Sequence, residues 1–284
     1  VDFAILSGMT LSVRNTLLRV GIAISTLLLA GFGYVSYQIL WGDGISGGAS
    51  ALANQHWLVF TWNASEDHVV WSVIGMLLLG LVALVTLSLF VRYFRKITAP
   101  EIFFFAVFVL SVALDQLKVA QLWLVIANQP QEIGVVVTRT VLFGHIMGIF
   151  SLFASSLYVA GVEYQKTGTI LGIAALVAFT LAYTIPVDSL VLLPNLLYRT
   201  GDERGLQIVS VILYLLVAVN YVYAMITNGA GETGVLLAAM VLVIVGRELL
   251  YYLASPLAVI LGGVFLSAGT LVFGTRSHAM YLWI

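Results

Sequence analysis

The chain has 284 residues, 61% of them hydrophobic and 9% charged, with a net charge of −1 and a mean hydropathy of +1.08. Such values lie far from those of soluble domains and indicate a polytopic membrane protein. Twelve basic residues are too few for the dense positive surface that nucleic acid requires, and zero cysteines excludes disulfides, thiolate zinc sites, iron–sulfur clusters and cysteine nucleophiles.

Read from the N-terminus, Val1–Thr16 leads through Arg14 and Arg19 into an apolar run over about 17–40. That run is longer than the core of a cleavable signal and reads as a signal-anchor helix. Further apolar runs cover about 69–94, 102–126, 135–162, 169–185, 206–226, 235–253 and 256–273. Each approaches the ~20 residues that cross ~30 Å of hydrocarbon at 1.5 Å rise per residue. The expected architecture is therefore an all-α bundle of about eight transmembrane helices, forming one domain over 1–284. Arg247 and Glu248 interrupt the seventh run, which leaves seven crossings as the alternative if that segment lies flat.

Orientation follows from Lys and Arg. With the N-terminus inside, Arg14, Arg19, Arg92, Arg95, Lys96, Lys166 and Arg276 fall on the inner side, against Arg139, Arg199 and Arg204 outside. Both termini are expected in the cytoplasm, with the inner (plasma) membrane of a bacterium as the location.

Between the first two spans, Gly42–Ala53 is rich in Gly, Ser and Ala and reads as a flexible outer loop. His56–Trp62 follows, with tryptophans suited to the headgroup layer; it is either a short interfacial helix or a strand. Asn63-Ala64-Ser65 has the form of a glycosylation sequon. A second loop, Pro186–Arg204, carries an apolar centre too short to cross and prolines at 186 and 194. It reads as a re-entrant or surface-lying piece over the outer mouth, or as an apolar connector capping the bundle.

Ionisable groups inside spans carry the functional signal, since each costs about 2.5–3.5 kcal/mol at a helix centre. Asp115 and Lys118 are three apart and share a helix face, with Gln116 and Gln121 nearby. At 1.5 Å per residue, Asp115 lies about 21 Å from the inner end at Glu101, and Arg247-Glu248 about 22 Å from Glu232. Arg139 opens the fourth span from outside and Asp188 follows the fifth. The expectation is a polar, outward-opening vestibule of Asp115, Lys118, Arg139, Asp188, Arg247 and Glu248, whose cations hold an anion or an anionic headgroup. Ion pairs locking the third, fourth and seventh spans together are the structural alternative.

Glu101, after Thr98-Ala99-Pro100, fits a helix start, with proton relay as the sharper alternative. His145 stands alone in the fourth span and reads as a helix-to-helix hydrogen bond; bis-histidine haem would need a facing histidine. No GxxxxGK[ST], HExxH or GxSxG motif occurs. The chain is accordingly expected to be no enzyme and to hold no metal or cofactor. It is expected to bind or transport a small anionic molecule or lipid, with membrane lipids as partners. A non-catalytic structural or regulatory subunit beside another integral membrane protein is the other function in play.

Overall fold

The computed structural model describes residues 11–42, 44–53, 55–57, 60–62, 65–94, 99–161, 167–201 and 203–282. Asp43, Asn63, Ala64, Arg95, Lys96, Lys166 and Asp202 lie outside them, as do the side chains of Arg14, His56, Trp57 and Trp62, so the sequon and part of the basic cluster stay with the sequence reading. The helices are α1 (Leu11–Trp41), α2 (Gly44–Ala51), α3 (Glu66–Tyr93), α4 (Pro100–Leu114), α5 (Leu117–Ile126), α6 (Gln131–Val159), α7 (Thr167–Thr184), α8 (Glu203–Asn228), α9 (Ala230–Tyr252) and α10 (Pro256–Leu282). Two hairpins complete the described residues, β1 (Gln55–Trp57) with β2 (Phe60–Trp62), and β3 (Val187–Leu192) with β4 (Tyr198–Thr200).

Among the described residues, eight helical segments are long and apolar enough to cross a membrane, with α4 and α5 together forming one of them. The protein is an all-α, multi-pass membrane bundle. α9 runs unbroken through Arg247 and Glu248. Burial assigns each span its neighbours. The α4–α5 span has 83% of its apolar window buried, against 17% for α1 and 22% for α7 and α8. So α4–α5 is the central rod, packed against α1, α3 and α6, while α1, α7 and α8 turn side chains such as Leu27, Leu176 and Ile226 outward, where acyl chains would meet them. α9 and α10 make the closest helix pair: a Cβ on Gly246 would collide with the backbone of Leu266 and Gly262, so only glycine permits that approach. α8 turns into α9 over Gly229 alone, at φ 98°, a left-handed conformation that glycine adopts without steric cost.

Two segments differ from the sequence expectation, and a third takes one of its two alternatives. Gly42–Ala53 contains a helix, because Gly44 and Gly48 share a face and Gly48 lies against Val69 and Leu122; tertiary contact outweighs weak helix propensity. For His56–Trp62 the described residues take the strand alternative, β1 pairing antiparallel with β2, Gln55 with Trp62 and Trp57 with Phe60. The third span is broken at Asp115-Gln116. There the backbone tightens to i→i−3 bonds, from Asp115 N–H to the Val112 carbonyl (3.2 Å) and from Lys118 N–H to the Asp115 carbonyl (3.2 Å).

The loop between α7 and α8 is a hairpin whose tip is inserted, not laid flat. Leu193, Leu196 and Leu197 are buried at the tip, and Leu196 sits at φ 63°. The Ser72 hydroxyl donates to the Pro194 carbonyl (3.0 Å), Tyr198 N–H donates to Thr138 Oγ1 (3.3 Å), and Ala53 N–H donates to the Leu192 carbonyl (2.8 Å). The hairpins therefore cap the same end of the bundle and make it the hairpin face.

Candidate functional site

Beneath that cap lies a cluster of charged side chains withdrawn from solvent and from the outer helix surface. Asp115, Gln116, Lys118, Gln121 and Arg247 are each 0% exposed. The break in the central span aims them. Asp115 and Gln116 occupy the joint itself, where the Ala113 carbonyl accepts both the side-chain amide (3.2 Å) and the backbone N–H (3.4 Å) of Gln116. Glycines on the surrounding helices make the room. A Cβ on Gly80 of α3 would overlap the Gln116 amide, and one on Gly148 of α6 would overlap Arg247 and the Ser111 hydroxyl.

Arg247 reaches from α9 into the centre. Its Nη1 donates to the His145 carbonyl (3.3 Å), its Nη2 stands 3.6 Å from Asp115 Oδ2, and its guanidinium lies 5.2 Å from the Phe108 ring centre. Lys118 donates to the Tyr251 carbonyl (2.9 Å) and sits 3.4 Å from the centre of the Tyr251 ring. The His145 ring stacks on the same tyrosine at 3.8 Å, interplanar angle 25°. Two groups that close to one ring centre cannot share a face, so Tyr251 is held between the ammonium and the imidazole. Glu248 accepts a hydrogen bond from the Tyr214 hydroxyl (2.6 Å) and lies 3.8 Å from His145 Nε2.

Some groups in this cluster are buried yet make no hydrogen bond among the described residues: both Asp115 oxygens, Nε and Nη2 of Arg247, both ring nitrogens of His145 and Gln116 Oε1. Leaving one buried polar group unsatisfied costs about 1–3 kcal/mol, and more for charged groups. A native fold rarely collects several in one place without a use for them.

Above Tyr251 and Tyr252 a cavity of about 40 Å³ is bounded by Thr138, Asn195, Tyr198, Glu203 and Gln207, between the hairpin tip and the charged network. Burial pushes the Tyr198 phenol above the ordinary tyrosine range, so it remains a neutral donor on this wall. A larger cavity of about 390 Å³ opens at the opposite end, between α3 and α10. Leu, Phe and Tyr make up half of its lining, beside Thr86 and His278, and Thr270 and Thr275 spend their hydroxyls on their own helix.

Of the residues expected to line a vestibule, Asp115, Lys118, Arg247 and Glu248 come together. Arg139 does not join them: its guanidinium lies over the Tyr183 ring on α7 (5.5 Å) and makes no ion pair among the described residues. Asp188 is exposed on β3, where it accepts from Leu190 N–H (3.1 Å). The network is closed over by Tyr251, Tyr252 and the hairpin tip, whereas the sequence reading had it open outward. His145, Tyr214 and Tyr251 belong to it although the sequence reading left them out. A signal for Tyr251 was present: it lies four residues after Arg247, as Tyr252 does after Glu248, on the same helix faces. Among the described residues, no group of three or more His, Cys, Asp or Glu is arranged to hold a metal.

No known protein family, curated protein or solved structure matches this chain.

Proposed function

We propose that this membrane protein binds, and passes across the bilayer, a small solute bearing an anionic group, which Arg247 holds in the occluded site beneath the hairpins. The observation that carries the reading is a fully buried arginine whose Nε makes no hydrogen bond and whose Nη2 has only the 3.6 Å ion pair to Asp115. A carboxylate or phosphate fits that fork. In this reading the chain binds its solute without transforming it. Exchange requires the tip at Leu193–Leu197 and the Tyr251-Tyr252 wall to part. The Lys/Arg distribution supports cytoplasmic termini in a plasma membrane, with the hairpin face outside.

A second reading has its own support. Arg247 touches α4 and α6 from α9, and two acids balance two bases, which is what an ion-pair lock in a subunit of a larger membrane complex would need. Native mass spectrometry of the mildly solubilised protein separates the two. A retained anionic metabolite or lipid, lost in Lys118→Ala or Arg247→Ala while folded yield stays near wild type, is the expected result. Loss of folded protein in both variants, with a stoichiometric second membrane protein and no ligand, would establish the lock instead.

A further inference from the structure

The charges beneath the hairpins are not equally committed. Lys118 is engaged with the Tyr251 carbonyl and ring, and Glu248 with the Tyr214 hydroxyl. What remains is one anion and one cation side by side: Asp115, with neither oxygen hydrogen-bonded, and Arg247, whose Nε is unused and whose Nη2 reaches only the long contact to Asp115. An arginine and an aspartate free to pair would form two parallel bonds at about 2.7–2.9 Å. Here the contact is a single one at 3.6 Å, because Arg247 Nη1 is drawn to the His145 carbonyl while Asp115 is fixed at the helix joint.

From this we infer that the solute is a zwitterion, whose anionic group takes the free edge of Arg247 and whose cationic group takes Asp115. The inference rests on reading the network as a solute site and narrows the class of solute. A simple anion would satisfy Arg247 but would bring a second negative charge against Asp115, in surroundings where like charges are poorly screened. A simple cation would meet Arg247 in the same way. A molecule with ammonium and carboxylate on one carbon supplies both partners at once and leaves the buried charge balanced.

The test compares matched pairs of amino and hydroxy acids with the same side chain: alanine with lactate, leucine with 2-hydroxyisocaproate, and phenylalanine with phenyllactate. Binding to the full chain in mild detergent is measured by equilibrium dialysis of the radiolabelled compounds. The expected result is that, in at least one pair, the amino acid binds at least tenfold more tightly than its hydroxy partner. In Asp115→Asn that advantage falls below twofold while hydroxy-acid binding persists. If hydroxy acids bind as tightly or more tightly, the zwitterion inference is overturned and the anionic-solute reading stands. If no member of any pair binds the wild-type chain, both are overturned. The wild-type comparison decides the matter even if Asp115→Asn fails to fold.

Discussion

At Gly148 the position of Arg247 depends on the absence of one carbon. A methyl group there would meet Nη1 of Arg247 and Oγ of Ser111 together. Since Ser111 is tied to the Phe108 carbonyl (2.6 Å), the arginine is the group that must give way. Gly148→Ala is therefore expected to lower stability by about 1–3 kcal/mol, the usual range for overpacking, and to abolish solute retention. Thermal unfolding in detergent alongside native mass spectrometry checks both effects, and an unchanged melting temperature with full retention would refute the close contact. At this scale the sequence was informative where cost is high. Asp115, Lys118, Arg247 and Glu248 stand out because charge inside hydrocarbon demands a reason. Their depths, each counted from the inner end of its helix, agreed, and Asp115 and Arg247 are in contact. Arg139 carried the same charge signal, but helix rotation, which a uniformly apolar span leaves unmarked, turns it toward α7.

The hairpin tip illustrates how an element can be apolar for reasons that hydropathy does not separate. Leu193-Pro194-Asn195-Leu196-Leu197 is greasy enough to lie on a membrane, yet it is inserted because its backbone finds partners inside: Ser72, Thr138 and the tip's own Leu193–Leu197 bonds. No local pattern announces partners that distant in sequence. Leu196 holds a left-handed conformation there, which costs a non-glycine residue about 1–2 kcal/mol. Leu196→Gly would relieve that strain but remove a fully buried leucine, a loss of about 2–5 kcal/mol. Lost burial outweighs relieved strain. The substitution is expected to destabilise the tip, seen as faster hydrogen exchange at Leu193, Leu196 and Tyr198 with α9 protection unchanged. Slower exchange would show that strain dominates. The joint between α4 and α5 was equally hidden, since Leu114–Leu117 contains neither proline nor glycine. Only the buried Asp115-Gln116 pair hinted that the backbone there had other partners.

For the whole molecule, the number of crossings was legible because it rests on length and hydropathy alone, and α9 is continuous through Arg247 and Glu248. Which spans are central was not legible: α1 and α4–α5 are similarly apolar, but one is mostly outside and the other mostly inside. Only packing tells them apart. The orientation proposed from Lys and Arg is open to direct test, because a chain without cysteine is a ready background for labelling. Leu190→Cys lies on the hairpin face at a position 82% exposed, and Glu232→Cys lies at the other end. In intact cells a membrane-impermeant maleimide is expected to label the first and to reach the second only after permeabilisation. The reverse pattern would invert the molecule.

The close contact at Gly246 has a mechanical consequence for its neighbour. With backbone set against backbone, α9 and α10 have no side-chain layer in which to slide, so they shift as one body if they shift at all. Arg247 is the next residue and belongs to that body. Asp115 sits instead at the joint of the central rod. Any change in the separation of the two therefore carries α10 along with α9.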